Sequence, residues 1–461
     1  MNSLAIDRPG AASRRSSRSR VDKRRERLIY AFAAVQIVSI VFLQKIGLPI
    51  GDSSAELPLL VMAVGLAGLG AAGLLALDTR RAILCAVFAS LATAATALNS
   101  ANLSLTSYLE VLALYIPFMF KIEISARTYA SIVEVFQQCM VVICGAVFVQ
   151  YAAEIALGAS KMPSMNVLLP TAWQFPGFTY LRPMEIFHNL SKANGFFMLE
   201  VSIVSQFLAI AIIFETIYAQ KWWRLAMFVV ALLSTFAGSG PLLLVVMAPT
   251  LLLRTSPRVL IGITVALVLG ILFAAQTQWF TAILSRTDEF SHYNGSAHHR
   301  FIEPVSVLLD FLTGSHNFFV GIGAGNIEKS LYAAWWPITK VTVEYGVLTA
   351  AAFFAFLGYS MFESPPDWRV ALAIFLAYFF LNGSFVVPID VYLCFLFCAL
   401  LRIRKEPSRR KSSRRRSRSH SKVAAPISLG TPEGELEPAE RSAPKAPAAG
   451  LDALGRSGSP A

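Results

Sequence analysis

The sequence predicts an all-α polytopic membrane protein of about twelve transmembrane helices, and three observations predict it. Charged residues make up 15% of the 461 and hydrophobic residues 55%, whereas a soluble globular chain carries roughly 25% charged residues. So few charges cannot cover a water-facing surface. Apolar runs long enough to cross ~30 Å of hydrocarbon recur along the chain. The basic residues gather at the two ends and in alternate loops, as cytoplasmic segments of a membrane protein do.

Taken in order, residues 1–27 are a polar basic tail, expected to be disordered. The apolar run that follows lacks a small-residue cleavage pattern, so it is expected as a first span and not as a removed signal peptide. Spans are expected at 28–46, 57–77, 82–98, 105–121, 131–157, 195–219, 259–278, 339–361, 369–384 and 386–403. Residues 223–253 are too long for one straight span, and the break Ala-Gly-Ser-Gly-Pro at 237–241 divides them into two helices. Residues 28–403 form the membrane domain, and 404–461 a second tail rich in Arg, Ser and Pro, likewise expected to be disordered.

The net charge of +12 belongs to the tails. Residues 1–28 and 402–461 hold nine and fourteen of the Lys/Arg, which leaves 17 Lys/Arg against 19 Asp/Glu between them. The stretch 408–420, SRRKSSRRRSRSH, has the look of an RNA-binding Arg/Ser tract. Flanking a membrane domain, it reads instead as a segment that fixes orientation and touches anionic lipid headgroups, and no nucleic-acid partner is expected. The loops at 78–81, 121–127, 220–224, 254–258 and 364–369 are basic, while those at 99–104, 237–241 and 382–388 have no Lys or Arg. An even span count with both termini cytoplasmic fits every loop. The five cysteines all lie in apolar runs and read as packing residues.

That topology puts two long segments, 158–194 and 279–338, on the outer side, and they hold five of the six histidines. Where the first turns back into the membrane, Glu200 is expected about a turn and a half inside a helix starting near residue 195. A carboxylate at that depth is costly unless it faces protein or water. Either it pairs with a basic group that locks two helices, or it serves as acid, base or cation partner at the floor of an outer cavity. The second segment carries His298-His299-Arg300-Phe301-Ile302-Glu303-Pro304, preceded by Arg286. Adjacent histidines without a third ligand at helical spacing do not make a metal motif, whereas arginines suit a phosphate-bearing anion. A run Gly321-Ile322-Gly323-Ala324-Gly325-Asn326 then precedes Lys329, Lys340 and Glu344-Tyr345-Gly346. It either presents N–H groups to an anion or acts as a flexible connector.

In this order and on this framework, four pieces resemble the O-antigen polymerase and ligase superfamily, and especially the exopolysaccharide polymerases often called Wzy-type. They are KANGFFMLEVSIVSQFLA at 192–209, FAGSGP at 236–241, HHRFIEP at 298–304, and GIGAGN leading to VEYGVLTA at 343–350. Two departures stand out: Val201 where relatives have Pro, and Lys192 where many have Arg. Ligases of the superfamily have a His-Asn pair before the late Glu-x-Gly, where this chain has Trp336-Pro337, which favours a polymerase.

The resemblance implies a metal-independent, cofactor-free glycosyl transfer on the outer leaflet of a bacterial inner membrane. Donor and acceptor would both be glycans on undecaprenyl pyrophosphate, with a flippase and a chain-length regulator as partners. Arg182, Lys192, Arg286 and Arg300 would then serve the diphosphate, and Glu200, His298, His299 or Glu303 the acceptor's proton. A ligase, a 12-span transporter of lipid-linked sugars and a non-catalytic export scaffold are the competing classes.

Overall fold

The computed structural model describes residues 10–50, 53–99, 104–158, 169–175, 183–184, 190–252, 297–314, 316–327, 335–381 and 385–404. Arg182, Arg286, Lys329, His188, His292, the span expected at 259–278 and the tail beyond 404 lie outside them.

The structure is mostly helical, at 75%. Helix α1 (Gly10–Phe42) leads through strands β1 (Gly47–Ile50) and β2 (Ser53–Glu56) to α2 (Leu57–Ala71). Strand β3 (Ala76–Leu77) precedes α3 (Thr79–Leu98), whose first N–H groups at Arg80 and Arg81 bond the Asp78 carboxylate. Ser104 caps α4 (Leu105–Tyr115) and Ser125 caps α5 (Ala126–Leu157), with β4 (Phe120–Ile124) between them. Short polar side chains take otherwise orphaned N–H groups at all three starts. Next come α6 (Val201–Phe214), α7 (Trp222–Ser234) and α8 (Ser239–Leu252), so the break expected at 237–241 does separate a pair of helices. A wide turn, His298–Ile302, opens α9 (Glu303–Gly314), followed by α10 (Pro337–Phe362), α11 (Trp368–Leu376), α12 (Pro388–Cys394) and β5 (Leu401–Ile403).

Among the described residues, four helical stretches are long and apolar enough to cross a membrane: α3, α5, residues 201–218 and α10. Other apolar helices, α2, α7 and α8 among them, are shorter. At 15 residues α2 rises only ~22 Å against ~30 Å of hydrocarbon. It stops short of the expected residue 77 because Gly73 takes φ 65° and turns the chain into β3. A purely helical body was expected, and here the structure corrects the sequence: β1 and β2 form an antiparallel hairpin, while β4 pairs antiparallel with β3 and parallel with β5. The small three-stranded sheet ties together chain segments at 76, 120 and 401 that hydropathy alone reads as span ends.

Buried and exposed apolar surfaces divide as a lipid-facing bundle requires. Every residue of α6 from Ser202 to Phe214 is buried, as is every residue from Pro388 to Leu400, and a helix apolar all round belongs at the centre of such a body. Outward-facing aliphatics on the other helices include Val64 at 73%, Ile155 at 73% and Val245 at 70% exposure. All five cysteines are buried and free.

The two ends of the bundle are joined by different segments. At one end β3, β4 and β5 meet, Lys121 pairs with Asp78 at 2.8 Å, and Glu26 accepts from Thr128 at 2.9 Å. Fully buried Arg81 donates there to the carbonyls of Phe118, Ser360 and Ala399 at 3.3, 2.8 and 2.8 Å. Three helical segments thus end on one guanidinium, which matches the negative end of a helix dipole. At the other end the β1–β2 hairpin, residues 169–175 and 190–200, and the 317–327 segment gather. Ile46 bridges Gln174, Ser104 N donates to Ala324 O at 3.1 Å, and Asn99 Nδ2 to Val320 O at 3.1 Å.

Candidate functional site

Glu200 is not inside a helix. The helix expected from residue 195 begins at Val201, and Glu200 stands just before its first turn with φ −137° and ψ 157°. The reason lies upstream, where Gly195 and Phe196 both take φ 63° and leave the backbone irregular. A non-glycine residue there is strained unless its surroundings hold it. Buried side chains from α5 and from the turn after α1 do so. Gln150 of α5 accepts from Asn194 N at 3.1 Å and Gly195 N at 3.0 Å, and Glu154 one turn on accepts from Ser191 N at 2.7 Å. Beyond the end of α1, Lys45 donates to Phe196 O at 2.7 Å and Gln44 accepts from Leu199 N at 2.8 Å. The break between α7 and α8 clasps the far side of α6, with Ser239 Oγ donating to Ser202 O at 3.2 Å and Ser205 Oγ accepting from Gly240 N at 2.9 Å. Gln206, further in, is wholly buried and its amide has no hydrogen-bond partner among the described residues.

Arg300 comes to Glu200 from the turn that opens α9. Its Nη2 lies 3.5 Å from Glu200 Oε2 and donates to Ser202 Oγ at 3.3 Å, and Ser202 Oγ in turn donates to Glu200 Oε2 at 3.2 Å. Both charged side chains are largely shielded, at 19% and 16% exposure, so their attraction is screened less than that of a surface pair. His299, the residue before Arg300, has its Nδ1 2.6 Å from Glu303 Oε2, at the i, i+4 spacing of a helix face. His298 is half-buried, its ring 6.1 Å from that of His299. Thr339 Oγ1 of α10 donates to Pro304 O at 3.0 Å, and Trp336 stands edge-on to Phe301, which fixes this turn against α10. Lys340 and Glu344 pair on α10 at 3.3 Å. Lys192 is buried within the irregular segment ahead of Glu200.

The glycine run at 321–325 is neither an open anion nest nor a loose connector. Ile322 N and Gly323 N donate to Val343 O and Glu344 O at 2.9 and 3.0 Å, and Val347 N donates to Phe318 O at 3.0 Å. These bonds replace the helical ones lost where Gly346 leaves helical geometry at φ 82° and ψ 166°. A Cβ on Gly346 would lie 2.1 Å from Phe319 O, so only glycine permits the approach.

Four of the predicted residues therefore come together as two pairs, Glu200 with Arg300 and His299 with Glu303. Ser202, Gln44, Lys45, Gln150 and Glu154 escaped the sequence reading. The signal for the last two was present: two polar residues four apart in an otherwise apolar helix usually face protein or water and not lipid. Among the described residues no three of His, Cys, Asp and Glu gather in a way that could hold a metal ion. Chemically, the arrangement offers an oriented guanidinium beside a carboxylate-braced imidazole. No protein-family profile and no curated protein matches the chain.

Proposed function

We propose that this chain is a polysaccharide polymerase of the inner membrane that joins lipid-linked repeat units by glycosyl transfer at the outer leaflet, without a metal or other cofactor. The observation that carries the reading is the meeting of Arg300, from the second outer segment, with Glu200 just before α6, while His299, the residue before Arg300, pairs with Glu303. A polymerase needs a cation for a departing diphosphate and a base for an acceptor hydroxyl, close together. The loop charges and the separate gathering of segments at each end of the bundle support about twelve spans, with both tails in the cytoplasm and this site on the outer side. The basic tails would rest on anionic lipid, and a flippase and a chain-length regulator would be its partners.

In this reading the acceptor hydroxyl attacks the anomeric carbon of the donor as the bond from that carbon to the diphosphate oxygen breaks. The hydroxyl proton passes to His299 Nε2, and Glu303 on Nδ1 holds the tautomer that leaves Nε2 able to accept it. The charge that develops on the undecaprenyl diphosphate falls to Arg300. Glu200 and Ser202 both contact Nη2, and a guanidinium carries five donors, so orientation and anion binding are compatible on one group. Glu200 is accordingly assigned to hold Arg300 and not to take the proton. Lys192, Arg182 and Arg286 remain further cations for the diphosphate within the proposal.

Replacing Arg300 tests it. Arg300→Lys keeps charge and loses the fork, and both Arg300→Lys and Arg300→Ala should make single repeat units accumulate on the lipid carrier in cells of the native host. Losing one charge-assisted donor to a developing anion commonly costs about 10²–10³ in rate. Full-length polymer from a well-expressed Arg300→Ala chain would overturn the assignment.

A further inference from the structure

We propose that a groove between α1 and α2 seats one acyl chain of an anionic phospholipid whose headgroup lies on Arg24 and Arg25. The inference depends on the chain lying in a membrane and is independent of the glycosyl-transfer reading. The groove, about 680 Å³, is lined almost wholly by apolar atoms, with Leu28, Phe32 and Val35 on one wall and Leu60, Val64 and Gly68 on the other. Phe32 packs onto Gly65, where a Cβ would meet its ring at 2.4 Å, while a Cβ on Gly68 would meet nothing within 4 Å and so marks the open floor.

Dimensions and charge choose the occupant. The lining of α2 runs from Leu60 to Ala72, ~18 Å at the helical rise, which approximates the ~15 Å depth of one leaflet's share of a ~30 Å hydrocarbon core. Arg24 and Arg25 precede Leu28 by four and three residues, so they lie on the groove face of α1 one turn below it. An antiparallel pair that registers Phe32 with Gly65 also brings Arg25 level with Ala72, at the end of the groove. Arg24 is exposed, and the buried Nε of Arg25 has no hydrogen-bond partner among the described residues. A single apolar slot of leaflet depth that ends at two guanidinium groups suits a phosphate-headed lipid better than an uncharged one. The polyprenyl diphosphate of the proposed reaction does not suit it, because the basic end lies where Glu26 bonds Ser125 and Thr128, at the opposite end of the bundle from Arg300.

The test is native mass spectrometry of the purified full-length protein after exchange into mixed micelles containing phosphatidylglycerol or phosphatidylcholine of matched chains. With about 1 kcal/mol per basic residue at a headgroup, two arginines should favour phosphatidylglycerol roughly thirtyfold. The Arg24→Gln, Arg25→Gln pair, within α1 with Arg24 exposed and Arg25 half-buried, should abolish that preference and leave a chain-length-dependent adduct. Gly68→Leu should cut retention of both lipids at least tenfold, and Gly145→Leu, at another glycine with open space around its Cβ, should change neither. Equal retention of the two lipids by the unaltered protein, or undiminished adducts in Gly68→Leu, would overturn the proposal. So would a dimer that Gly68→Leu splits without changing lipid content, which would give the groove to a second copy.

Discussion

His299 and Glu303 sit 2.6 Å apart on one helix face while Arg300, between them in sequence, points to another element, so three near neighbours divide between two tasks. The proposed division predicts unequal losses. His299→Gln should lower polymerisation about 10²–10⁴-fold, the usual worth of a positioned general base. Glu303→Gln keeps a hydrogen-bond partner for the ring but no longer enforces one tautomer, so its loss should be smaller. The double variant should be little worse than His299→Gln alone, since a pair acting as a unit is non-additive. Turnover of lipid-linked repeat units by purified protein measures all three. Full additivity would mean that Glu303 acts on its own and not through His299. Glu200→Gln should slow the chemical step more than it weakens substrate binding, because its role is to hold the guanidinium that takes the developing charge.

Among the elements, the segment before α6 shows why some of the site escaped the sequence. Apolar character runs on from Phe196 through Phe214, so hydropathy places a helix start near residue 195. What stops it is tertiary: Gln150, Glu154, Gln44 and Lys45, remote in sequence, bond the backbone of 191–199 and hold it irregular. The local pattern therefore gave the element and its approximate place, but not the residue at which it begins. The same holds for α10, where Glu344-Tyr345-Gly346 was legible as a motif but not as a break clasped by the glycine run. Helices α3 and α5 were legible because their caps and periodicity are local. Gln150→Ala would leave the N–H groups of Asn194 and Gly195 buried without an acceptor, at about 1–3 kcal/mol each. It should lower the melting temperature in detergent and the activity together, and Gln150→Glu should restore neither, because it would set a second buried carboxylate against Glu154, to which Gln150 Nε2 donates at 3.0 Å. Gly346→Ala should be worse, because the new Cβ meets a carbonyl at a backbone angle that L-residues rarely adopt. Size-exclusion profiles of the fluorescently tagged chain should show it largely aggregated.

For the whole molecule, buried charge and loop charge tell the same story about orientation. Arg81 binds three helix ends, and Arg224, also fully buried, pairs with Glu134 at 2.7 Å and Glu215 at 2.8 Å. Both arginines belong to loops or helix starts that the basic-loop pattern assigns to one side. Arg81→Ala should therefore cost several kcal/mol through four abandoned carbonyls, those of Phe118, Phe120, Ser360 and Ala399, with loss of folded protein and not of chemistry alone. The bundle end that holds Arg81 also holds residues 120–124 and 401–404 and the start of α5, while the Glu200–Arg300 pair sits beyond α1 and α5 at the other end. If basic loops face the cytoplasm, the proposed site must face outward, where lipid-linked repeat units are polymerised in the proposed reaction. Reporter fusions after residues 175, 300 and 410 should then read outside, outside and inside. An inside signal at 300 would put Arg300 in the cytoplasm, and no arrangement of the donor diphosphate on the outer leaflet could reach it.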